Sequence, residues 1–121
     1  MQFTDQPIPT VTDEDVERLA LRDFGHAQLS LALSVIHEFG KQPWNRPCPR
    51  VYAAILKLAN GDIDLLLQKT QVAIEDSRDV LAAAEYPRYT REFGFRNAPE
   101  PLRQAIVDDD WRQYREWFDR K

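Results

Sequence analysis

The sequence predicts an all-α fold: a single small domain, residues 1–121, of about five helices built around an antiparallel helical hairpin at residues 50–86. Three observations predict it. Apolar residues recur at three- and four-residue steps through most of the chain. Two of these patterns meet at Asn60-Gly61-Asp62, where Gly ends one helix without steric cost and Asp caps the next. Acidic residues gather where patterns begin, at Asp13–Asp15, Asp62/Asp64 and Asp108–Asp110, as the positive end of a helix dipole favours.

Residues 1–11 carry Pro7 and Pro9 and read as an extended lead-in. Thr12 is a good N-cap, and Val16, Leu19, Ala20 and Phe24 follow helical spacing up to Gly25. Residues 25–40 are ambiguous, because Leu29, Leu31, Leu33 and Val35 alternate as a strand would. Leu and Ala nevertheless favour helix, and the segment exceeds a typical strand in length, so a largely buried helix ending at Gly40 is expected. A loop with three prolines follows at 41–49.

Pro49 then opens the first arm of the hairpin, whose face runs Val51, Ala54, Ile55, Leu58 and Ala59. The second arm keeps one helical period from Ile63 to Ala84 and stops before Pro87, with a break at Asp76-Ser77 as the alternative. As one helix it would be roughly 35 Å long, about twice the first arm. It would run past the start of that arm and carry the residues after 86 to the end where the residues before 50 enter. Residues 87–101 read as irregular, with a short turn through Leu102, Ala105 and Ile106. The last helix starts at Asp108–Asp110 and carries Trp111, Tyr114 and Phe118 on one face, with i,i+4 ion pairs around it.

The run R-V-x-x-A-I-L-K-L-A-N-G-D, followed by S-R-D-V-L-A-A-A-E-Y-P, resembles a family of short, uncharacterised bacterial proteins. The likeness spans residues 50–87. It implies a self-standing helical domain from a bacterium and carries over no activity or functional residue.

Composition narrows the function classes. Net charge is −4, so no global basic field would draw in duplex nucleic acid. One cysteine excludes an internal disulfide. The start of the chain lacks the pattern of a signal peptide, and no apolar run reaches the roughly 20 residues of a membrane helix. A cytoplasmic protein that does not enter a membrane is the expectation.

Candidate chemistry is sparse. His26 and His37 on one straight helix would stand about 16 Å apart, too far to share a metal. Cys48, with Arg46 and Arg50 nearby, could form a reactive thiolate but has no second cysteine and no assigned base. The carboxylates mostly fall where helix starts want them. An Arg22…His26 pair brings to mind helical ribonuclease domains of the HEPN group, but its spacing is too short. No metal site, cofactor or catalytic residue is expected.

The remaining signal is a local reversal of charge. Residues 41–50 hold Lys41, Arg46 and Arg50 with no acid, and residues 86–103 hold Arg88, Arg91, Arg96 and Arg103 against Glu92 and Glu100. Trp44, Tyr52, Tyr86, Tyr89, Phe93 and Phe95 interleave with them. Arg, Trp and Tyr are the residues enriched at interface hot spots. Trp44, Arg46, Arg50, Arg88, Tyr89, Arg91 and Arg96 are therefore the expected docking set, for an acidic protein surface or a small anionic ligand; the alternative is that the aromatics cap the core end while the arginines are solvated or pair with Glu85, Glu92 and Asp79. Docking there makes the chain a non-enzymatic interaction or regulatory module. The alternative is a small enzyme using Cys48 or a histidine at the same end. A homo-oligomer through Trp111, Tyr114 and Phe118 is a further expectation.

Overall fold

Helix starts and stops are chemically marked, and they set the architecture. A computed structural model of the chain describes residues 7–121. Among these, six helices and no strand are present: α1 (Asp13–Ile36), α2 (Pro49–Ala59), α3 (Ile63–Glu75), α4 (Ser77–Glu85), α5 (Pro87–Phe93) and α6 (Leu102–Asp119).

Thr12 caps α1 reciprocally. Its hydroxyl accepts from the Asp15 amide at 3.1 Å, while the Asp15 carboxylate accepts from the Thr12 amide at 3.0 Å. Gly25 then interrupts the helix with φ 76° and ψ 170°, a conformation open essentially to glycine alone. A Cβ there would meet nothing within 4 Å, so backbone torsion alone explains the residue. The bend is sharp. Val16 and Leu33 line one cleft, although a straight helix would hold them roughly 26 Å apart.

The ambiguous stretch after Gly25 is helix. Ala32 and Ile36 are fully buried and Leu29 and Leu33 half-buried, a helical period, whereas Leu31 faces solvent. The helix ends at Ile36 rather than Gly40, and residues 37–40 form a turn.

α2 is the central element. Six consecutive residues, Val51–Leu56, are buried, so the helix is covered on all sides. It packs on α1, α3 and α4. Asn60, with φ 50°, and Gly61, with φ 81°, reverse the chain. A Cβ on Gly61 would stand 2.9 Å from the Asp23 carbonyl oxygen, so this turn also packs tightly on α1. Asp62 caps α3 through the Asp64 and Leu65 amides.

Two sequence expectations need correction here. The second arm is two helices, because Asp76 is extended (φ −156°, ψ 101°) and its carboxylate caps α4 through the Arg78 amide at 3.0 Å. With α3 about 20 Å and α4 about 14 Å long, α4 packs back on α2. The C-terminal segment is also more helical than expected. Residues 87–93 form α5, and α6 begins at Leu102, so Asp108–Asp110 lie inside a helix and not at its start. Asp110 still caps a helix, but a different one: its two oxygens accept from the Arg88 and Tyr89 amides at the start of α5, each at 3.0 Å.

The main core joins α1 to α4 with Tyr114 and Phe118 of α6. A smaller cluster of Tyr89, Ala98, Ile106 and Val107 ties α5 to α6. No described helix is long and apolar enough to cross a membrane.

Candidate functional site

The start of α2 and the end of α4 do meet, despite the broken second arm. Arg50 grips Glu85 with two bonds, Nε to Oε2 at 2.7 Å and a terminal nitrogen to Oε1 at 2.5 Å. Glu85 is almost wholly buried and Arg50 partly so. The bond to Glu85 holds the Arg50 guanidinium above its ordinary pKa, outweighing the effect of burial. Next door, burial and the Glu85 charge push the Tyr86 hydroxyl up to about 12.

This pair satisfies the charge of Arg50 and removes it from the docking set. Arg88 is also engaged: its Nε donates to Glu92 at 2.9 Å and a terminal nitrogen to Asp109. Tyr89 is fully buried, with its hydroxyl donating to the Arg96 carbonyl at 2.9 Å and accepting from the Ala98 amide at 2.8 Å. It closes the loop after α5 and belongs to the smaller core. Tyr114 and Phe118 of the expected oligomer face likewise point into the chain's own core, leaving Trp111 half-buried.

Trp44, Arg46, Arg91 and Arg96 remain exposed. Arg96 folds back on the carbonyls of Phe93 and Glu92, following α5. Trp44 follows α3: its indole nitrogen donates to the Ile74 carbonyl at 3.0 Å, and Asn45 donates to the same oxygen at 3.1 Å. The residue is 69% exposed yet held in place. Trp44 thus lies against α3, with Arg46 two residues on in the same loop, while Arg91 is on α5 and Arg96 in the loop after it.

The elements around Trp44 form a groove that sequence reasoning missed. Val35, Glu38, Leu67, Thr70, Gln71 and Ile74 line about 260 Å³ between α1 and α3. Leu67 is 52% exposed. Leu31, one turn before Val35, extends the apolar face along α1 and is also exposed. The signal was present in the alternation of Leu29, Leu31, Leu33 and Val35, which leaves apolar residues on more than one side of any helix.

Cys48 is the half-buried N-cap residue of α2, with no side-chain capping bond. His26 is exposed, and His37 stacks edge-on against Tyr52 at 5.0 Å. Among the described residues, no three His, Cys, Asp or Glu side chains converge on a point where a metal would sit. The chain matches no family model, no curated protein and no solved structure.

Proposed function

We propose that the protein is a non-enzymatic interaction module that docks an acidic amphipathic helix of a partner protein in the groove between α1 and α3. The observation that carries this is Trp44, a large aromatic left exposed while two hydrogen bonds fix its loop to α3. A pre-positioned Trp beside a groove of mixed apolar and polar lining is a hot-spot arrangement, because little side-chain freedom is lost on binding. Val35, Leu67 and Ile74 supply the apolar part of the wall, and exposed Leu31 lies one turn before Val35, for apolar residues spaced one and two turns apart on the incoming helix. Charge selects the partner. The loop bearing Trp44 contains no acid, and its Arg46 is exposed with no ion pair among the described residues. Glu38, the charged residue of the groove wall, is met by Lys41 at 3.3 Å.

The test is site-directed photocrosslinking in the source cell with a benzophenone amino acid at position 44. The expected product joins the protein to a partner segment that is amphipathic, helical and acidic, mapped by mass spectrometry. Leu67→Glu and Arg46→Glu should each reduce that product by about tenfold, while Arg91→Glu leaves it unchanged. Crosslinks to basic or unrelated segments, or yields indifferent to Leu67→Glu, would defeat the reading.

A further inference from the structure

Apart from Trp44, the largest exposed apolar side chain among the described residues is Phe95, in the loop after α5, at 57%. Arg91 precedes it by one helical turn and Arg96 follows directly, and both are exposed. The two carboxylates of residues 87–101 are already taken, Glu92 by Arg88 at 2.9 Å and Glu100 by Arg103 at 3.2 Å. No ion pair among the described residues reaches Arg91 or Arg96. Arg96 donates to the carbonyls of Phe93 and Glu92, which holds its guanidinium on the loop without cancelling the charge. An exposed ring thus stands between two uncancelled cations, on a chain whose net charge is −4.

A tip of this kind fits a receptor that is apolar inside and acidic at its edge. The ring supplies affinity when it is covered, and the flanking charges set orientation. The two concavities beside the second arm of α1 differ in this respect. The groove between α1 and α3 lies next to Arg46, and its one carboxylate, Glu38, is met by Lys41 at 3.3 Å. It does not attract a basic tip.

The cleft between the two arms of α1 does. It encloses about 480 Å³, which leaves room for a phenyl ring. Its floor, Val16, Phe39 and Tyr52, is already buried, and an incoming ring would meet Leu33, His37 and Pro47. Asp13 and Glu17 border it one helical turn apart, exposed and with no ion pair among the described residues. Lys41 also borders it, but is paired with Glu38. Arg91 and Arg96 reach neither acid of their own chain, so the match is made between copies.

We propose that the chain associates with itself, the Phe95 tip of one copy seating in the α1 cleft of another. Phe95 covers Leu33 and Pro47, while Arg91 and Arg96 face Asp13 and Glu17. The contact is heterologous, because each copy offers one tip and one cleft and the two are different surfaces. One ring and two exposed charge pairs make a small contact, so association is weak and falls with added salt.

The test is sedimentation velocity of the full chain at low salt. The sedimentation coefficient should rise between about 10 μM and about 1 mM protein. Phe95→Ala, the pair Arg91→Glu with Arg96→Glu, and the pair Asp13→Lys with Glu17→Lys should each weaken association at least about tenfold. These positions are exposed, so each variant should keep the helical circular dichroism of the parent. The decisive arm mixes Phe95→Ala with the Asp13→Lys, Glu17→Lys variant. The first keeps a working cleft and the second a working tip, so the mixture should form a one-to-one pair that neither forms alone. A parent chain that stays monomeric throughout, association indifferent to Phe95→Ala, or a mixture that does not pair would each overturn the proposal. Leu67→Glu should leave self-association unchanged, so failure of the partner groove leaves this result standing; association lost in Leu67→Glu would place the contact elsewhere and overturn it.

Discussion

The protein contains two differently built halves. Around α2, cohesion is apolar: a helix buried on all sides is wrapped by α1, α3, α4 and two aromatic residues of α6. Around α5, the core is four residues, and polar links carry much of the join. Asp110 caps α5, Arg88 bridges to Glu92 and Asp109, and the Tyr89 hydroxyl closes the following loop. Apolar burial grows with area and tolerates small shifts, whereas a capped, ion-paired join depends on individual groups staying in place. The first half is thus the stable frame and the second an appendage with separable stability.

Substitutions can break that contrast, beginning with the largest effect. Leu66→Ala removes a fully buried side chain from the main core and should cost about 3–5 kcal/mol of global stability in urea unfolding. Arg50→Met strands the buried Glu85 carboxylate and should cost about 3 kcal/mol, read by thermal unfolding at neutral pH. Gly25→Ala should cost about 1–3 kcal/mol, since φ 76° with ψ 170° strains any side chain.

Asp110→Asn sharpens the comparison rather than breaking it. Hydrogen exchange should accelerate across residues 87–98 while α2 stays protected, with a loss of about 1 kcal/mol. The pH dependence carries a definite sign. Burial raises the Asp110 pKa above its ordinary value, despite the two amides that oppose this. The native state therefore takes up a proton at a pH where the unfolded chain does not. Acidification through that window should raise the stability of the parent chain relative to Asp110→Asn, an advantage lost as pH rises through the native pKa and constant above it. Smallest is Tyr114→Phe. The buried Tyr114 hydroxyl has no partner among the described residues, so its removal should leave stability unchanged or raise it by under about 1 kcal/mol.

The same contrast explains how much could be read in advance. The all-helical class, the Asn60-Gly61-Asp62 turn and the interruption at Gly25 followed from periodicity and punctuation, which act within a few residues. The break at Asp76 was visible only as an alternative, because an apolar stripe can continue in phase across a capped corner. Asp108–Asp110 misled for a related reason. A carboxylate that caps a distant helix has the same local sequence as one that caps its own, and Asp110 serves α5 across the fold. The docking set suffered likewise: pairing of its arginines with Glu85 and Glu92 stood as the alternative reading, and charge composition could not decide that Arg50 takes Glu85 or that Arg88 also reaches Asp109. What stayed exposed is divided, Trp44 and Arg46 in the loop without acids and Arg91 and Arg96 on α5 and the loop after it.

Bending a helix at one residue, without spending a loop on the turn, has a consequence for the cleft between its two arms. The angle between those arms is set by a single pair of torsions at Gly25, where an added Cβ would meet nothing within 4 Å. Aperture is thereby assigned to a position outside the lining, so it can be altered while every lining residue is kept.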